Sequence, residues 1–158
     1  MKYLDAIGQK VVSRATAETL GELGGLVVRP STVAITALQV GTGRRARFVD
    51  WASVTGVGTA AVMVDDEAHL REPHDEREKA MANGDLDPIG RLVLSTAGNG
   101  AGTVTDLEFD ELHGELRVLH TTEGPVDAAR LHVIGPYAVV VDPKAPADAP
   151  APRTREVG

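Results

Sequence analysis

The 158-residue chain contains no cysteine, which excludes disulfide bonds, thiolate zinc sites and cysteine nucleophiles. Aromatic residues make up only 3% of the chain, so aliphatic side chains must build most of the core. No apolar run approaches the roughly 20 residues that a membrane-spanning helix needs. The first residues lack the apolar segment of a signal peptide. From these absences we expect a cytoplasmic protein with no membrane span.

Positive charge is also scarce. The chain has 16 basic and 23 acidic residues and a formal net charge of −7. Non-specific binding to nucleic acid requires clustered positive charge, so this balance argues against a nucleic-acid partner. Hydrophobic residues at 42% and charged residues at 25% are typical of a soluble globular protein.

The chain contains an internal repeat. Residues 4–13 read LDAIGQKVVS and residues 86–95 read LDPIGRLVLS, with six identities in ten positions. Further along, AVMVD at 61–65 matches AVVVD at 138–142. Matches at the start and the end of both halves indicate a duplication.

Two pairs of repeated residues predict equivalent turns. Gly8 and Gly90 each follow an isoleucine, which indicates a backbone that needs positive φ or close approach. Ser13 and Ser95 also recur. Their repetition favours a structural role in a turn over a role as nucleophile.

Short β-branched runs, separated by glycine and proline, predict the strands of small antiparallel sheets or barrels. Within the segment 102–110, strict alternation would place Leu107 and Phe109 on a buried face. It would place Val104 and Asp106 on the opposite, solvated face. The glycine-rich stretch before this segment leads into a strand, so it predicts a hairpin turn and not a phosphate-binding loop.

The same pattern of glycines and apolar positions occurs in both halves. It is carried in the first half by Ile7-Gly8, Val11-Val12-Ser13, Leu20-Gly21, Phe48-Val49 and Val54, and in the second by Ile89-Gly90, Val93-Leu94-Ser95, Gly102, Asp106-Leu107, Val126 and Leu131. This pattern resembles the PRC-barrel family of small β-barrels. The resemblance implies an all-β protein of two tandem small antiparallel β-barrels, joined by a short charged helical linker. It carries no catalytic residues with it.

The predicted organisation has four parts. Residues 1–65 form the first PRC-barrel-like domain, and residues 86–142 form the second. Between them, residues 66–85 form a charged linker with one short helix that Gly84 can end. The proline- and alanine-rich residues 143–158 are expected to be a disordered tail. Because each half alone is near the size at which a core is marginal, we expect the two halves to pack together.

Catalytic and metal-binding motifs have little support in the sequence. The five histidines are not spaced as metal ligands, and no combination of serine, histidine and aspartate indicates a triad. We therefore expect no enzyme activity, no cofactor and no metal. A small-molecule-binding or enzymatic barrel has no group of residues to support it.

One local basic cluster stands out from the acidic chain. Arg44, Arg45 and Arg47 lie in a predicted hairpin loop close to Trp51. Arginine and tryptophan are enriched among the residues that anchor protein interfaces. These four residues form the candidate interaction patch, and a solvated turn is the alternative interpretation. If Phe48 fills the core, alternation places Trp51 outside or at the rim, near the arginines.

The function that these observations favour is that of a non-enzymatic adaptor or assembly module that binds another protein. The alternative is a ribosome- or RNA-processing-associated factor, by analogy with ribosome maturation proteins that contain the same barrel. The acidic charge of the chain counts against this alternative. Neither interpretation names the partner, and both leave homo-oligomerisation open.

Overall fold

The computed structural model describes residues 1–143 of the chain. Except for Pro143, the tail predicted to be disordered lies outside these residues. Helix α1 spans Tyr3–Ala6 and helix α2 spans Glu76–Ala82; all other regular elements are strands and short 3₁₀ turns. In this part of the chain no helix is long and apolar enough to cross a membrane.

The first half folds into a six-stranded sheet. Its strands are β1 (Lys10–Ser13), β2 (Thr19–Arg29), β3 (Ala34–Val40), β4 (Arg47–Asp50), β5 (Val54–Val57) and β6 (Ala61–Val64). Their order across the sheet is β4-β3-β2-β1-β6-β5.

The second half folds into another six-stranded sheet. Its strands are β7 (Leu92–Ser95), β8 (Gly100–Phe109), β9 (Leu116–Thr121), β10 (Gly124–Asp127), β11 (Leu131–Ile134) and β12 (Ala138–Val141). Their order is β10-β9-β8-β7-β12-β11, the same arrangement that the first sheet has. The repeat in the sequence therefore corresponds to a repeat in topology.

The β-rich fold in two halves is as predicted, but its sheets are neither closed nor wholly antiparallel. Each half joins its first strand to its last in parallel, β1 with β6 and β7 with β12. Among the described residues, β4 does not pair with β5, and β10 does not pair with β11, so neither sheet closes on itself. The prediction of antiparallel barrels thus needs correction to open, mixed sheets. The prediction rested on the spacing of short strands along the chain. That spacing does not determine whether strands far apart in sequence pair in parallel or antiparallel.

The repeated glycines occupy equivalent positions with positive φ. Gly8 has φ of +88° and Gly90 has φ of +84°. The N–H of Gly8 donates to the carbonyl of Leu23, and that of Gly90 donates to the carbonyl of Val104, both at 2.8 Å. A Cβ at either glycine would meet no atom within 4 Å. Backbone conformation, and not close approach, is therefore what requires glycine here.

The repeated serines also have matching roles, as predicted. The hydroxyl oxygen of Ser13 accepts from the N–H of Ala15 at 3.2 Å, and that of Ser95 accepts from the N–H of Ala97 at 3.2 Å. Both serines thus stabilise the turn after the first strand of their half.

Strand β8 departs from the predicted alternation. Its pairing with β9 shifts register between Val104 and Asp106. Because a bulge inserts one extra residue into a strand, the side chains beyond it change face. Val104 is consequently buried along with Leu107 and Phe109, whereas strict alternation had placed it on the solvated face.

The two halves share one hydrophobic core cluster, in agreement with the predicted packing. Main-chain hydrogen bonds also join them. The N–H of Ile35 donates to the carbonyl of Gly114 at 2.8 Å, and the N–H of Leu116 donates to the carbonyl of Val33 at 3.0 Å. The N–H of Phe109 donates to the carbonyl of the first residue at 2.9 Å.

The linker helix packs against the sheet of the first half. Met81 and Ala82 of α2 form a second core cluster with residues of β2, β3 and β4, including the fully buried Phe48. The carboxylate of Asp75 caps the helix by accepting from the N–H of Glu78 at 2.9 Å. Gly84 follows the helix with φ of +85°, as expected for a glycine that ends a helix. The sheet is therefore buried on both faces at β4.

Candidate functional site

The arginine turn, Arg44-Arg45, lies in the 3₁₀ turn Gly43–Arg45 that connects β3 to β4. Gly41, just before the turn, and Gly43, its first residue, have φ of +78° and +71°, a backbone conformation that favours glycine. Both arginine side chains are exposed. None of the ion pairs formed within residues 1–143 involves them. Within the described part of the chain they therefore present positive charge without an ionic partner, just before β4.

Arg47, the first residue of β4, is exposed and forms an ion pair with Glu72, in which Nε lies 3.4 Å from Oε2. Both side chains are more than half exposed, and such surface pairs contribute little to stability. The linker nevertheless partly neutralises this third arginine of the predicted patch.

Trp51 follows the other end of β4 and begins the 3₁₀ turn Trp51–Ser53. Its side chain is half-buried and packs against the shared core. The indole lies over Gly114 in the turn between β8 and β9. Trp51 therefore joins the two halves at the rim of their common core.

The four predicted patch residues lie in and around strand β4. Arg44 and Arg45 precede β4, whereas Trp51 follows it. Four residues of extended chain from Arg47 to Trp51 span about 13 Å. The predicted patch thus extends along β4 from the arginine turn to Trp51.

A groove of about 180 Å³ lies beside Trp51. One wall is strand β5, the last strand at that edge of the first sheet. The other wall is contributed by Glu111 and Leu112 from the turn after β8. The side chain of Leu112 is 79% exposed, the highest value among the large hydrophobic residues that the structure describes. We call this feature, formed by Trp51, β5 and Leu112, the rim groove.

Outside the groove, Arg71 forms an ionic cluster with Glu78 and Asp50. Its guanidinium donates to both carboxylate oxygens of Glu78, at 2.6 Å and 2.9 Å, and to Asp50 at 2.6 Å. Its backbone pairs with Phe48 at the free edge of β4, through hydrogen bonds of 2.8 Å and 2.9 Å. The guanidinium also lies 5.9 Å from the centroid of the Phe48 ring. The linker thus covers the edge of β4.

The pKa of Glu78 reflects this cluster. Burial alone would raise it, but hydrogen bonds from Arg71 and from the N–H of His74 outweigh burial and lower the pKa below its usual value. The pKa of Arg71 is raised, first by its hydrogen bonds to Glu78 and then by Asp50, against the effect of burial. These contacts hold the linker against the first sheet, and Arg71, Glu78 and Asp50 neutralise one another.

Sequence reasoning missed both the rim groove and the role of Arg71. Leu112 and Arg71 lie in segments that the sequence marks only as a turn and a charged linker. Arg71 precedes α2 and is not part of it, so no helical spacing rule links it to Glu78. The position of Leu112 beside Trp51 has no local sequence signal.

Two of the five histidines form close pairs with carboxylates. His120 lies 2.7 Å from Glu108, with Nε2 facing Oε1, and the side-chain hydrogen bond from His120 is the main cause of a lowered Glu108 pKa. His113 lies 2.9 Å from Asp110 and lowers the pKa of that carboxyl in the same way. In residues 1–143 no group of three or more histidines and carboxylates is placed to hold a metal ion.

No protein-family model and no curated protein sequence matches this chain.

Proposed function

We propose that this protein is a non-enzymatic adaptor or assembly module that binds another protein. The observation that carries this proposal is the rim groove, where an exposed leucine and a half-buried tryptophan flank an edge strand. Tryptophan is among the residue types that are enriched at the energetic hot spots of protein interfaces. The resemblance of each half to the PRC-barrel family is consistent with this proposal, because it implies no catalytic residues.

The occupant that fits the rim groove is an extended segment of the partner. β5 pairs with β6 on one side. Within residues 1–143 no named strand pairs with its other side. An edge strand of this kind offers main-chain groups to an added strand, and neighbouring pockets accept alternate side chains. An apolar side chain of the added strand would lie between Trp51 and Leu112.

Capture experiments with the full chain test this proposal. Proteins bound to the immobilised wild type from lysate, with and without nuclease, are compared with those bound to Leu112→Ser. The matched control is Tyr137→Ser, which removes a side chain that is 75% exposed and lies outside the groove. A partner that survives nuclease, is lost with Leu112→Ser and is retained with Tyr137→Ser supports the proposal.

Hydrogen exchange on the recovered complex tests the added strand. We expect the backbone amides of β5 to become protected when the partner is bound. Recovery that is unaffected by Leu112→Ser excludes the rim groove. Loss of every partner on nuclease treatment would favour the RNA-processing alternative, with the arginine turn as its contact.

A further inference from the structure

The chain contains two Asn-Gly pairs, Asn83-Gly84 and Asn99-Gly100. Asparagine is a thermolabile residue. It is most reactive before glycine, because glycine has no Cβ to hinder attack by its backbone nitrogen on the asparagine side chain. All four residues are exposed, so the difference between the two pairs lies in their backbone hydrogen bonds.

The first pair is held by the end of helix α2. Asn83 follows the helix with φ of −84° and ψ of −2°, and its N–H donates to the carbonyl of Lys79 at 3.2 Å. The N–H of Gly84 donates to the carbonyl of Met81 at 3.0 Å. The nitrogen that would attack the Asn83 side chain therefore has its proton in a hydrogen bond, and it can turn toward that side chain only if the helix end opens.

The second pair lies where the turn after β7 joins β8. The N–H of Ser95 donates to the carbonyl of Asn99 at 2.8 Å, and Leu94 and Gly100 are the next residues opposite each other in the ladder. Opposite residues in an antiparallel pair alternate between hydrogen-bonded and non-hydrogen-bonded, so the N–H of Gly100 points away from β7. Among residues 1–143, no turn carbonyl or side chain accepts from this N–H. The attacking nitrogen is therefore free at Gly100.

We propose that Asn99 is a site of spontaneous covalent modification, at which asparagine converts into aspartate and isoaspartate. The backbone nitrogen of Gly100 loses its proton and bonds to the side-chain carbonyl carbon, Cγ, of Asn99. The bond from Cγ to the amide nitrogen breaks, and that nitrogen takes up the proton and leaves as ammonia. Water then opens the resulting succinimide ring. Opening at Cγ gives aspartate, and opening at the main-chain carbonyl gives isoaspartate.

The two products affect the hairpin differently. Both place a carboxylate where a neutral amide stood. Isoaspartate also inserts one carbon into the main chain before Gly100 and removes from the main chain the carbonyl to which Ser95 donates. The pairing of Leu94 with Gly100 is set for a chain without that carbon, so isoaspartate should open the start of the β7–β8 hairpin. This site is independent of the rim groove.

Warm incubation of the full chain at mildly alkaline pH, followed by peptide mass spectrometry, tests the site. We expect the peptide that contains Asn99 to gain one mass unit and to accept a methyl group from an isoaspartate-specific methyltransferase. The peptide that contains Asn83 should convert severalfold more slowly. In urea the helix end is lost, so the two peptides should convert at similar rates.

Gly100→Ala should slow the conversion of Asn99 severalfold, because a Cβ then hinders the attacking nitrogen. An added Cβ at Gly100 meets no atom within 4 Å, and the backbone there does not have positive φ, so the fold should be kept. Asn99→Asp is the matched control for charge. It should retain the hydrogen-exchange protection of β7, whereas the isoaspartate form loses it.

Two results would overturn the proposal. One is that Asn83 converts in the folded protein as fast as Asn99 or faster. The other is that Asn99 converts only in urea, which would mean that the folded turn holds Gly100 away from the side chain. Conversion of Asn99 at the same rate in Gly100→Ala and the wild type would exclude Gly100 as the source of the attacking nitrogen.

Discussion

The indole of Trp51 lies against Gly114 so closely that a Cβ on the glycine would be 3.0 Å from Cε2. Trp51 belongs to the first half of the chain and Gly114 to the second, so this contact is part of the interface between them. Gly114 also has φ of +75°. Both its conformation and its neighbour therefore disfavour any larger residue.

Substitution Gly114→Ala should destabilise the protein through both effects. The unfavourable φ costs about 1–3 kcal/mol of unfolding free energy, and displacement of the indole adds to this. The chain has one tryptophan, so its fluorescence reports both unfolding in urea and movement of Trp51. The control is Gly43→Ala, at φ of +71° with no atom within 4 Å of the added Cβ. Equal losses in the two variants, with unchanged emission, would show that the contact is unimportant.

The equivalent glycines of the two halves should respond alike to substitution. Gly8→Val and Gly90→Val each force a β-branched residue to positive φ, and we expect each to lower the unfolding free energy by roughly 1–3 kcal/mol. Gly100→Val is the control, because a Cβ there also meets no atom within 4 Å but the backbone does not have positive φ. If both variants unfold at the same urea concentration as the control, backbone conformation is not what requires these glycines.

The Arg71–Glu78 pair should make stability depend on pH. Because folding lowers the pKa of Glu78, its ionised form stabilises the protein above the unfolded-state pKa, near 4.5. That stabilisation is lost as the pH falls through the lower, folded-state pKa. Glu78→Gln should therefore lower the unfolding free energy by roughly 1.5–3 kcal/mol at pH 7. The difference from wild type should shrink as the pH is lowered below 4.5.

Urea unfolding of both proteins at several pH values measures this difference. Glu76→Gln is the matched control, because that carboxylate is 90% exposed on the same helix. A difference between wild type and Glu78→Gln that stays constant with pH would mean that the ionised carboxylate of Glu78 contributes nothing.

The linker helix should contribute to folding stability as well as connect the halves. Met81 is buried against the outer face of the first sheet with Phe48. Met81→Ala should therefore cost about 2–5 kcal/mol, the range for truncation of a buried side chain. Lys79→Ala, on the exposed side of α2, should leave the unfolding free energy nearly unchanged. If the backbone amides of α2 exchange as fast in the wild-type protein as in an isolated α2 peptide, the helix does not have this role.

The sequence by itself determined the features that depend on neighbouring residues. The duplication, the β-rich content, the positive φ at Gly8 and Gly90, and the short helix ended by Gly84 all follow from local pattern and the conformational freedom of glycine. Ser13 and Ser95 belong to the same class, because each hydroxyl bonds to the backbone two residues later. Such interactions are specified within a few residues and need no knowledge of the fold.

Only the tertiary structure decided which surfaces meet. The bulge at Val104 depends on the partner strand β9, and the parallel pairing of β1 with β6 joins segments about fifty residues apart. Phe48 and Val49 both became core residues because the linker helix covers one face of β4 and the shared core covers the other. Burial depends on what packs against a residue, and local sequence does not contain that information.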